Sequence, residues 1–196
     1  GHSMGSFLTR TYLIRYPGTV DAAIIMGTGH QSPAIVAGGR AIAKAAGKRH
    51  GFNAHSPRVE NLAFGAYNKA FAPNRTEVDW LSASDNNVDA YIADSLCGQK
   101  ASIGLFYEML GGIRFISTPK NIASMNLNTP ILFISGDKDP VGEMGKGVRR
   151  AYEAFRRAGV RDVELKLYQG LRHEILNEDC RAVVYNDLWN WIEKHL

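Results

Sequence analysis

Residues 1–5, Gly1-His2-Ser3-Met4-Gly5, form a G-x-S-x-G pentapeptide, with a serine between small residues. A serine hydroxyl is a weak nucleophile at neutral pH. It needs a histidine as base, and the histidine needs a carboxylate to hold its tautomer and stabilise the imidazolium. The flanking glycines permit the sharp strand-to-helix turn that exposes Oγ, and a serine on such a turn is followed along the chain by its acid and then its histidine. Short matches of this kind arise by chance, so Ser3 counts as a nucleophile only if both partners stand in that order.

The acid is expected in Ser135-Gly136-Asp137-Lys138-Asp139-Pro140-Val141, directly after the apolar run Ile131 to Ile134. Asp139 is favoured: Pro140 biases it towards an extended backbone on a loop that Gly136 allows to turn. Asp137 is the alternative, although it lies close to the strand end and can instead cap local amides. The histidine is expected at His173, in the glycine-containing loop Tyr168 to Glu174. His30, His50 and His55 precede the acid, and His195 belongs to a terminal helix. His30 follows a strand end and remains a candidate for lining a pocket, while His2 is assigned a structural role. Met4 N–H would supply one oxyanion donor, and a second is expected from a loop upstream of this chain. With half of that hole absent, the polypeptide alone is expected to be a weak catalyst, because one donor is worth roughly 10²- to 10³-fold in rate. Neither a metal nor an organic cofactor is called for.

The elements that must hold these residues follow from periodicity. Ser6 to Tyr16 reads as a helix closed by Pro17-Gly18, and Ala22 to Met26 as a buried strand running into Gly27. Ile131 to Ile134 is a second buried strand, Gly142 to Ala158 a helix, Val163 to Leu167 a half-exposed strand by its alternation, and Asp179 to His195 an amphipathic helix. Strand and helix alternate, which predicts an α/β class with a parallel sheet flanked by helices. Between the first two strands the pattern is mostly helical and rich in aromatics, among them Phe64, Tyr67, Trp80 and Phe106. The expected division is therefore a core at 1–31, a helical cap insertion at 32–118 and the rest of the core at 119–196.

A chain of 196 residues, 45% hydrophobic and 21% charged, is long and apolar enough for one domain with a substantial core. The net charge of +4 comes from scattered basic residues. Arg149, Arg150, Arg156 and Arg157 share one helical segment that carries no nucleic-acid-binding motif, which argues for a solvated face and against nucleic acid. No run is long and apolar enough to span a bilayer. Cys97 and Cys180 form no CxxC motif and are read as free buried thiols of a reducing, cytoplasmic setting.

Together, Gly1 to Ser6, Ser135 to Val141 and the stretch Gly170-Leu171-Arg172-His173-Glu174-Ile175-Leu176-Asn177-Glu178 resemble the monoacylglycerol lipase and lysophospholipase branch of the serine α/β-hydrolases, which also includes serine aminopeptidase-like members. Asp79 to Ser82 and Val88 to Asp94 resemble the cap of bacterial members. The likeness runs from the elbow to the final helix, and the strands and His-Gly oxyanion motif that precede the elbow in the family are absent here. It implies Ser3 as nucleophile, Asp139 as acid, His173 as base and Met4 as oxyanion donor, acting on a small-molecule acyl ester, with the preceding part of the domain needed for full activity. Amide hydrolysis by the same residues, or a hydrolase-like protein that binds a ligand without turnover, are the alternatives.

Overall fold

The computed structural model describes residues 1–195. The apolar runs form a parallel sheet, β1 (Ala23–Met26), β2 (Ile131–Gly136) and β3 (Val163–Tyr168), in the order β1-β2-β3. Every residue of β2 is buried, as a central parallel strand covered on both faces must be. Alternate side chains of β2 go to opposite faces. Ile131 and Phe133 pack with Leu13, Ile14 and Phe155, whereas Leu132 and Ile134 pack with Ile175, Val184 and Trp191.

The first face is covered by α1 (Met4–Arg15) and by α7 (Lys146–Ala158), and the second by α8 (Arg181–His195). α7 starts four residues later than its periodicity predicts. Glu143, Met144 and Gly145 all have positive φ, at 52°, 54° and 82°, so the chain makes a left-handed turn before the helix begins. Glycine at the last of these positions is the inexpensive one.

Between β1 and β2 lie α2 (Pro33–His50), α3 (Pro57–Phe64), α4 (Asp85–Ala93), α5 (Ile103–Ile116) and the short α6 (Pro119–Ile122), with 3₁₀ turns at Asn68–Phe71 and Asp79–Leu81. Ser32, Ser56 and Ser102 cap α2, α3 and α5 by accepting from backbone N–H groups three residues on. This stretch has a core of its own, made of Ala43, Val59, Ile103 and Phe106. Among the described residues no helix is long and apolar enough to cross a membrane. The cysteines are free, but Cys97 is half-buried and Cys180 exposed, so the expectation of buried thiols is corrected. Cys180 immediately precedes α8, where the chain still faces solvent.

Candidate active site

Gly1 and His2 run parallel to β1. Met26 N donates to Gly1 O at 2.9 Å, Ser3 N donates to Met26 O at 3.1 Å, and His2 pairs with Met26. The chain then turns at once into α1. Ser3 takes up the whole of that turn, with φ 54° and ψ −122°, a backbone conformation that costs a non-glycine residue on the order of 1–3 kcal/mol. Ser3 O is fixed by Ser6, whose N donates to it at 2.9 Å and whose Oγ donates at 2.5 Å. Met4 opens the helix, so its N–H has no carbonyl one turn back to bond.

The aspartate and histidine loops meet at the carboxyl ends of β2 and β3. A Cβ at Gly136 would collide with the carbonyl oxygens of Leu171 and Arg172, so the histidine loop can lie directly on the aspartate loop only because residue 136 is glycine. Asp137 N donates to Tyr168 O at 2.9 Å and Lys138 N to Leu171 O at 3.0 Å, which locks the two loops together. Within this frame Asp139 is fully buried and His173 is 2% exposed. Asp139 Oδ2 accepts from His173 Nδ1 at 2.9 Å and from Ser135 Oγ at 3.0 Å, while Oδ1 accepts from Val141 N at 2.9 Å. The bond through Nδ1 leaves His173 Nε2 as the ring nitrogen that faces away from Asp139. The two aspartates thus have separate tasks, for Asp137 Oδ1 accepts from Gly170 N at 2.8 Å and braces the turn before the histidine.

His2 links this pair to the elbow. Its ring lies 4.5 Å from that of His173, its Nε2 is 3.1 Å from His173 O, and Gly27, with φ 56°, leaves space for both imidazoles. A Cβ at Gly27 would stand 3.1 Å from atoms of each ring. Burial, and then the proximity of His173, push the His2 pKa down, which favours the neutral ring beside that histidine. The structure therefore brings His173, Asp139, His2 and the Ser3 turn together. Hydrogen bonds among the described residues include the His173–Asp139 pair but none from Ser3 Oγ to the ring, a contact that commonly closes only around a substrate. His30, His50 and His55 are not part of this group, and His195 pairs with Asp162 at 3.1 Å.

Residues outside the Ser, Asp and His pattern also reach the site. Trp80 lies over His173 with ring centroids 5.2 Å apart, and Tyr67 packs edge-on against Trp80 at 5.1 Å. Burial, with the charges of Asp139 and Glu143 adding to it, pushes the Tyr67 phenol up to about 12, so it is neutral at ordinary pH. Sequence periodicity places these aromatics in the helical stretch without singling out Trp80 or Tyr67. The signal that could have found Trp80 was its place in Asp79-Trp80-Leu81-Ser82, one of the segments on which the family resemblance rests.

Residues 1–180 match the family model described as "Serine aminopeptidase, S33". The chain is 33% identical over 202 aligned residues to a monoacylglycerol lipase of Mycolicibacterium smegmatis, a match covering 100% of this chain and 61% of that protein. It is similar to a thermostable carboxyl esterase of Bacillus coagulans crystallised with glycerol, at a TM-score of 0.91 and 25% identity, covering 100% of this chain and 63% of the esterase. The monoacylglycerol lipase of Paleococcus ferrophilus shares the fold, with a TM-score of 0.71 at 19% identity over 100% of this chain and 67% of that one. The chain thus spans about three-fifths of the length of the first two relatives. On the match over residues 1–180 and the parallel sheet flanked by helices, it belongs to the serine aminopeptidase family of serine α/β-hydrolases.

Proposed function

We propose that this chain carries the catalytic residues of a serine hydrolase that cleaves carboxylic esters of lipid-like substrates, monoacylglycerols or lysophospholipids, through an acyl-enzyme. The observation that carries the reading is the fully buried Asp139 bonded at 2.9 Å to His173 Nδ1, with the positive-φ Ser3 turn joined to it through His2. Ser3 Oγ attacks the ester carbonyl and gives its proton to His173 Nε2, while Asp139 holds Nδ1–H and stabilises the imidazolium. Met4 N–H donates to the oxyanion. The tetrahedral intermediate collapses, the alcohol leaves with the proton from Nε2, and water deprotonated by His173 then releases the acid and restores Ser3. Residues 32–118 act as a cap over a core formed by 1–31 and 119–196, with Trp80 and Tyr67 as the apolar wall beside the base. The monoacylglycerol lipase and the glycerol-bound esterase among the similar proteins support an ester of a small polyol.

The family description favours a second reading, amide hydrolysis of aminoacyl substrates by the same residues. Turnover of p-nitrophenyl butyrate, monoacylglycerol, lysophospholipid and aminoacyl p-nitroanilide by the full-length protein separates the two. Ester turnover should dominate and fall by about 10³-fold or more in Ser3→Ala. Equal rates in wild type and variant would remove Ser3 from the mechanism, and faster anilide cleavage would select the second reading.

A further inference from the structure

Glu178 is 2% exposed, and among the described residues it forms no ion pair with a lysine or arginine. A buried carboxylate without a counter-ion must be met by hydrogen bonds. Its donors come from two segments distant in sequence. Ser82 Oγ donates at 2.7 Å and Ala83 N at 3.0 and 3.1 Å from the end of the 3₁₀ turn, and Arg172 N donates at 3.1 Å from the residue before His173. The same two segments are tied again on either side of the histidine. The Arg172 guanidinium donates to Ser82 O at 3.0 Å and to Asp79 O, and Glu174 N donates to Leu81 O at 2.7 Å. Between these ties stands Trp80, 5.2 Å from the His173 ring.

We infer that Glu178 is a positioning residue, whose carboxylate clamps residues 80–83 to the histidine loop and so holds Trp80 against His173. The inference rests on the reading of His173 as the base. Backbone ties at residues 172 and 174 fix the path of the loop, and the indole restrains rotation of the ring between them. Residues 80–83 are on this account a fixed part of the site, and any cap movement that admits substrate takes place elsewhere in 32–118.

The test is Glu178→Gln, which keeps the volume but replaces one acceptor oxygen by a donor, alongside Trp80→Leu and the double variant. Rates on p-nitrophenyl butyrate are expressed per serine titrated by a fluorophosphonate. Glu178→Gln should lower kcat about tenfold with KM within about twofold, as a small misplacement of a catalytic group does. Added to Trp80→Leu it should cost little more, because both changes release the same ring. The downfield proton resonance of His173 Nδ1–H should broaden in Glu178→Gln, a readout that holds whether or not the ester assignment does. If Glu178→Gln does not fold, Ser82→Ala removes the hydroxyl that donates to Glu178 and accepts from Ser84 N, and should lower kcat about threefold. An unchanged kcat per titrated serine with only a lower Tm, additive effects, or an unaltered resonance would overturn the clamp. Wild-type turnover that survives Ser3→Ala would instead strike at the proposed mechanism.

Discussion

The loops after β1 and β2 start alike and end differently. Each follows a buried apolar strand that closes in a glycine, Gly27 or Gly136, and each carries a titratable residue three positions beyond it, His30 or Asp139. After β2 the loop is built around a charge: Asp139 is fully buried with three donors on its two oxygens. After β1 the loop is built around a neutral ring. His30 Nδ1 is buried without a hydrogen-bond partner among the described residues. Burial first, and then the positive charges of Arg10, Arg150 and Arg157, push the His30 pKa down to about 4, with Glu143 opposing. Arg10 is itself fully buried and donates to Thr28 Oγ1 at 3.3 Å, Gly29 O at 2.9 Å and Ile116 O at 3.3 Å, so it pins the β1 loop to α1 and α5. The same strand-end position thus holds a carboxyl group bonded to an imidazole in one loop, and in the other an imidazole kept from taking up a proton.

The comparison breaks most directly at the two aspartates. Asp139→Asn keeps the shape but presents an amide to His173 and favours the wrong tautomer, so kcat should fall by roughly 10⁴-fold. Asp137→Asn alters only the cap on Gly170 N and should cost less than about tenfold. Measured side by side on one ester, a larger loss at Asp137 would reverse the assignment of the acid.

A smaller effect sharpens the other half. Because the folded state holds His30 near 4 and the unfolded chain titrates near 6.5, the unfolded chain binds more protons between these values. Stability from this group is therefore complete above pH 6.5 and declines as pH falls towards 4. Melting curves at pH 7 and pH 5 should show a drop in Tm that is smaller in His30→Gln by a few degrees, about 1 kcal/mol in a domain of this size. The same drop in both proteins would mean that the ring is not held neutral.

Much of this was legible in the sequence. Gly1 to Gly5, the apolar runs and the glycine-bearing loops indicate a parallel sheet with helices around it, and the proline after Asp139 favours it over Asp137 as the partner of a histidine. The proximity of Asp139 and His173 follows from the order of those loops along one sheet edge. What could not be read depends on meetings across the fold. Nothing local to His30 reveals three arginines around it, since they come from α1 and α7. Glu178 closes one of the stretches on which the resemblance rests, yet its partners Ser82 and Ala83 lie about 95 residues away. The late start of α7 was hidden as well, because a left-handed turn at Glu143, Met144 and Gly145 has no hydrophobic period.

The central claim is that Ser3, activated by His173 and Asp139, is the nucleophile. Incubation of the full-length protein with a fluorophosphonate, followed by fragmentation mass spectrometry of the amino-terminal region of this chain, tests it with no assumption about substrate. The account predicts a single phosphonyl adduct on Ser3 Oγ, slowed by about 10³-fold or more in His173→Ala. An adduct on Ser6 or on another serine, or labelling of Ser3 that proceeds equally well without His173, would contradict it.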